Sequence, residues 1–133
     1  MTIRIISLLN RLPHISFEEF DKHWGQVHGP LIEALPAVKS GLVKYKQFHV
    51  SPETNAALAA MGLPVMAHDG VVEWAADKME DIFELWMCKE MAEVWLFALR
   101  CGRRIDDAAQ TIMPDEKNFF ERSSVQVIAG DWK

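Results

Sequence analysis

Cysteine is nearly missing from this 133-residue sequence: only Cys88 and Cys101 occur, without paired spacing. Two such thiols exclude a disulfide framework and a zinc cluster of the Cys-x-x-Cys kind. The expectation is two reduced, buried, inert thiols in a cytoplasmic protein, with a bridge between them left open. Long apolar runs are also missing, since the longest, "VWLFAL", falls far short of a bilayer-crossing helix. The apolar start "MTIRIISLLNRLP" has no basic leader and no small-residue cleavage site, and Arg4 interrupts it, so it reads as a strand. Basic residues are in the minority, giving a net charge of -5, which speaks against a nucleic-acid partner but not against a small anionic substrate. There is no glycine-rich phosphate loop, no HExxH, no serine in a nucleophile elbow, and no repeat or low-complexity tract. His23 and His28 stand five apart, which turns them away from each other on a helix. No metal and no cofactor are expected, and a cofactor-independent reaction requires the least.

What remains is an ordinary globular balance, half apolar and a quarter charged, in a length that fits one domain over 1–133. "TIRIISLL" is β-branched and of strand length. Ser16 caps a helix, with Glu19 three residues on completing a capping box. Phe17, Phe20, Trp24, Val27, His28 and Leu31 follow helical spacing as a buried stripe, and Gly29-Pro30 should kink or break that helix. A second short piece, "PLIEAL", ends at Pro36. "GLVKYKQFHV" alternates as a second strand, and "PETNAALAAMG" is a short alanine-rich helix. "DGVVEWAA" is a third strand and "DKMEDIFELW" restarts helical spacing. The helical signal runs on from Cys88 towards Pro114, and "SSVQVIAGDW" is the fourth strand. This order is the split βαβ arrangement of an α+β, ferredoxin-like domain with a four-stranded antiparallel sheet. Ile5 and Ile6, Val71 and Val72, and Val127 and Ile128 put apolar residues on both faces of that sheet, which one layer of helices cannot cover. A homodimer packed sheet to sheet follows.

The run "FEEFDKHWGQVHGPL", after a short strand, resembles the helix motif of EthD-type proteins in the dimeric α/β-barrel superfamily, with Phe20, Trp24, His28 and Leu31 on the matching positions. "KYKQFHVSPETNAALAAMGLPVMAHDGVVEW" and "PDEKNFFERSSVQVIAGDW" are similar to the fungal branch of that family. The resemblance implies a dimeric α/β barrel, and decarboxylation of aromatic polyketide acids such as atrochrysone carboxylic acid in secondary metabolism. The helical segment from Cys88 to Gln110 is longer than the family usually carries, as a lid, a dimer contact or a rebuilt pocket wall.

Six polar positions and one indole carry the candidate chemistry. His28, at the Gly-Pro step, is a proton donor or acceptor for a cavity, or else a structural partner for backbone groups freed there. Tyr45, Gln47 and His49 share one strand face, which suits a cavity if that face is buried and water if the strand is an edge. His49 is the second catalytic candidate. Trp24 is a core or stacking aromatic, whereas His23 belongs to the helix surface. His68 and Asp69 precede the third strand and are placed at the cavity mouth as substrate contacts, or form only a turn. Glu73 is a buried carboxylate if its face is the lumen and a surface residue if not. Arg100, Arg103 and Arg104 hold a substrate carboxylate or are solvated. The expected function is a lyase that decarboxylates a β-keto or ortho-hydroxy aromatic acid. Its rivals are a cofactor-free monooxygenase, cyclase or dehydratase on a polyketide, and a non-catalytic binder of a hydrophobic intermediate.

Overall fold

The computed structural model describes residues 1–88 and 124–131. The expected helical run beyond Cys88, Cys101 and the arginines at 100, 103 and 104 lie outside the described residues. The chain runs β1 (Ile3–Leu9), α1 (Phe17–His23), a π-turn (Trp24–His28), α2 (Gly29–Glu33), α3 (Pro36–Lys39), β2 (Lys44–His49), α4 (Pro52–Ala60), β3 (Gly70–Ala76), α5 (Met79–Met87) and β4 (Gln126–Gly130).

The first helix starts where its capping box requires. Ser16 is extended, its hydroxyl accepts from the Glu19 backbone N–H, and the Glu19 carboxylate accepts from the Ser16 N–H. Each bond satisfies a donor that the first helical turn leaves without an internal partner. The Ser16 backbone N–H, with help from its hydroxyl, holds the Glu19 carboxyl below its ordinary 4.5. A lowered carboxyl stabilises the helix fully above its unfolded value, and that contribution disappears as pH falls through the folded one. Glu19→Gln, which removes the charge, should therefore destabilise the folded chain at neutral pH. The deficit should shrink on acidification below the ordinary range of Glu19, as urea titrations at two pH values will show. A deficit equal at both would remove the carboxylate from the cap.

Gly29-Pro30 does not break the helix as expected. The chain passes from α1 to α2 through the π-turn, in which the Gly29 N–H reaches back five residues to the Trp24 carbonyl. A proline at position 30 of a regular α-helix would clash with the carbonyl four residues earlier and offer it no donor. Widening the turn takes up that conflict without a kink. The wider turn also rotates the stripe. Phe20, Trp24, His28 and Ile32 are buried, while Val27 turns out to 45 % exposure. Regular 3.6-residue spacing cannot anticipate that rotation.

The four strands form one antiparallel sheet in the order β2-β3-β1-β4. Residue pairing sorts the side chains into two faces. Ile5, Ser7 and Leu9 of β1 lie opposite Trp74, Val72 and Gly70 of β3, which in turn lie opposite Tyr45, Gln47 and His49 of β2. Strand pleating puts all nine on one face. The helices cover it, with Phe20, Trp24 and Ile32 from the first helical stretch and Ile82 and Leu85 from α5 completing the core. The other face carries Ile6, Leu8, Val71, Phe48 and Ile128, with Arg4 paired to Glu73. Among the described residues of this face, Phe48 and Ile128 are each about two-thirds exposed, at 67 % and 66 %, while Ile6, Leu8 and Val71 are half-buried. The fold is α+β and ferredoxin-like.

Candidate functional site

Three glycines bring the first helical stretch unusually close to the sheet. A side chain on Gly70 would put its Cβ 2.6 Å from Cζ3 of Trp24, so the bare backbone of β3 makes room for the indole. Cβ atoms on Gly25 and Gly29 would stand 3.1 Å from the His49 ring and 3.2 Å from the Gln47 amide nitrogen. The π-turn can therefore lie directly on β2. There the Gln47 amide nitrogen donates to the Trp24 carbonyl at 3.0 Å, which also accepts from Gly29, and to the Tyr45 hydroxyl at 2.7 Å.

From Gln47 the polar contacts continue outwards. Its amide oxygen is 2.9 Å from His49 Nε2, and His49 Nδ1 is 2.6 Å from Asp21 Oδ1 on α1. The His49 ring also lies 4.7 Å, centroid to centroid, from the Trp24 indole. Tyr45 in turn packs at 4.8 Å on Trp74. The result is a continuous polar chain, Asp21–His49–Gln47–Tyr45, across a sheet face whose other residues, Ser7 apart, are apolar. It runs from the half-exposed rim at Asp21 to the half-buried Tyr45.

The structure sorts the sequence candidates by face. Trp24, Tyr45 and His49 lie together on the covered face, and His28, only 5 % exposed, ends the π-turn next to Gly29. Glu73 is on the other face, where Arg4 Nη1 donates to it at 2.5 Å, so it is not part of this group. Asp69 accepts from the Arg11 backbone N–H at 2.8 Å and from the Arg11 guanidinium, which ties the loop before β3 to the end of β1. That arrangement is a brace, with the Asp69 carboxylate occupied by Arg11. His68 sits beside it, half-buried, and its Nδ1 has no partner among the described residues. His23 is half-buried on α1. Among the described residues no three His, Cys, Asp or Glu side chains converge as metal ligands would. No helix among them is long and apolar enough to cross a membrane.

Two members of the polar chain escaped the list of candidates. Gln47 was visible only as a neighbour on the His49 face. Asp21 was invisible, since 28 residues separate it from His49 and only the docking of α1 on β2 joins them. The "DKHWG" run held one usable signal, a carboxylate on the same helical turn as an indole and a glycine, but nothing named its partner.

Comparison with known proteins fits this architecture. No curated protein matches the chain. Among solved structures, an ethyl tert-butyl ether D (EthD) family protein from Bacillus halodurans C-125 superposes with a TM-score of 0.54 at 17% identity, over 100% of both chains. A dimeric protein of unknown function and ferredoxin-like fold from Bacteroides fragilis NCTC 9343 superposes with a TM-score of 0.57 at 14% identity, over 98% of this chain and 96% of that one. At such identities both speak for the fold alone. The EthD domain model matches residues 12–123, which span α1, the π-turn and the polar chain on β2, and the protein belongs to the EthD domain family.

Proposed function

We propose that this EthD-domain protein is a cofactor-independent decarboxylase of an aromatic polyketide carboxylic acid, atrochrysone carboxylic acid-like, acting in secondary metabolism as a homodimer. The observation that carries the reading is the polar chain Asp21–His49–Gln47–Tyr45 on the helix-covered sheet face, with buried His28 ending the π-turn that docks there. Loss of carbon dioxide from a β-keto or ortho-hydroxy aromatic acid needs little from a protein. A neighbouring carbonyl on the substrate takes the electrons as an enol. The protein has to disfavour the ionised carboxylate and to supply a proton to the carbon left behind. Trp24, Trp74 and Val72 make the surroundings of the polar chain apolar. Imidazole is the side chain suited to hand a proton to that carbon, and His49 and His28 are the two imidazoles proposed for it.

Carbon dioxide release from such an acid, followed for the native protein and for His28→Ala and His49→Ala, tests the assignment. A positioned acid is worth at least about 100-fold in rate, and each variant should lose roughly that much if it serves as the donor. Undiminished release in both would take the histidines out of the mechanism. Oxygen uptake with an anthrone and no carbon dioxide release from the acid would favour the monooxygenase reading instead. The homodimer is supported by the exposed Phe48 and Ile128 on the second sheet face and by the dimeric relative from Bacteroides fragilis.

A further inference from the structure

We propose that Asp21 is a positioning residue that keeps His49 loaded with a transferable proton, held between Asp21 Oδ1 and His49 Nδ1. The role of that proton rests on the decarboxylase reading; its place rests on hydrogen-bond direction alone.

The argument begins at the Trp24 main-chain carbonyl, which can only accept. The Gln47 side-chain atom facing it at 3.0 Å must therefore be the amide nitrogen, and this fixes which way the amide points. Its oxygen then faces His49 Nε2 at 2.9 Å, and an amide oxygen also only accepts, so Nε2 carries a hydrogen. Nδ1 is left facing a carboxylate oxygen at 2.6 Å. A bare Nδ1 lone pair against that oxygen would be repulsive, whereas 2.6 Å is the short separation of a charge-assisted bond. A second proton consequently lies between the two side chains. The Trp24 indole, 4.7 Å away, presents an aromatic surface of the kind that favours a cationic neighbour. Three separate contacts thus converge on one ring from α1, the π-turn and β2.

This proton is the one the proposed reaction consumes. When the bond to the carboxyl carbon breaks, carbon dioxide leaves and the bonding pair moves into the neighbouring carbonyl as an enolate. The enolate carbon then replaces Asp21 as acceptor, a C–H bond forms, and the Nδ1–H bond breaks. His49 is left neutral with its hydrogen on Nε2, where Gln47 continues to hold the ring, and the repulsion between its bare Nδ1 and the Asp21 carboxylate draws a proton back. Asp21 and His49 are each 38 % exposed, so water can return the proton for the next turnover.

Nitrogen-15 spectra of the histidine rings, with His49 identified by the signals that vanish in His49→Gln, read the proton directly. Both ring nitrogens of His49 should be protonated in the native protein. Asp21→Asn should lose the Nδ1 proton and keep that on Nε2, because its amide can donate to a bare Nδ1. The same variant should release carbon dioxide roughly 10- to 100-fold more slowly in kcat, with KM little changed. An unprotonated Nδ1 in the native protein overturns the inference, and so does an unaltered ring signature in Asp21→Asn. Should that variant fail to fold, the native spectrum decides by itself. A protonated Nδ1 in a protein that decarboxylates no such acid would sink the decarboxylase reading and leave the shared proton standing.

Discussion

Trp24→Ala should destabilise the folded chain by about 3–5 kcal/mol, the range for deleting a fully buried large aromatic. Trp24 is 1 % exposed, stacks at 5.5 Å on Phe20, covers the bare backbone of Gly70 and borders the His49 ring. Few neighbours can close over the space it would leave. Gly70 and Gly25 have no side chain to move in, and the π-turn is pinned by Gln47. A typical domain has only about 5–15 kcal/mol in total, so the variant should sit near the edge of folding. Urea titration should show a large drop in midpoint with an unchanged slope. The opposite error is also informative. Gly70→Ala places a methyl 2.6 Å from the indole and should cost about 1–3 kcal/mol through overpacking. A loss below about 1 kcal/mol for Trp24→Ala would mean that the indole is not the keystone of the helix–sheet contact.

The second large effect concerns assembly. Ile128→Asp should convert a dimer to a monomer without unfolding it. Ile128 is 66 % exposed in the single chain, so an aspartate there is hydrated and harmless to the monomer. Across a sheet-to-sheet interface the same charge would be buried without a partner, at about 3 kcal/mol or more. Two-fold symmetry makes the change count twice. Sedimentation at micromolar concentration should give a dimer for the native protein and a monomer for the variant, with the same far-ultraviolet spectrum. Phe48, on the same face, offers an independent check through Phe48→Lys. A native protein that sediments as a stable monomer would remove the dimer from the proposal.

Much of the fold was legible because its signals are local. Ser16 and Glu19 mark a helix start by chemistry that spans four residues. Alternation in "KYKQFH" and the turn pair before "GVVEWAA" mark strands that the sheet then pairs residue by residue. The doubled apolar parity of Ile5 with Ile6, Val72 with Val71 and Val127 with Ile128 announced two apolar faces; among the described residues Ile5 and Val72 are buried, Ile6 and Val71 are half-buried, and Val127 and Ile128 are both exposed. The shared face of Tyr45, Gln47 and His49 was equally readable, since pleating alone sets it.

The rest depended on contacts between distant segments. Regular helical spacing placed Val27 inside and allowed Pro30 to break the helix. The fold instead inserted a π-turn ahead of the proline, and Gln47 of β2 holds that turn by donating to the Trp24 carbonyl. Glu73 alternates correctly, yet the docked helices decided which sheet face is covered, and they left it outside with Arg4. Asp69 was expected beside His68 at the cavity mouth or in a simple turn. Its carboxylate in fact braces Arg11. The carboxylate that bonds His49, Asp21, reaches it across 28 residues of sequence. Periodicity, capping and turn chemistry are short-range properties and were written in the sequence. Which ring faces which carboxylate is a property of packing, and only the tertiary structure decided it.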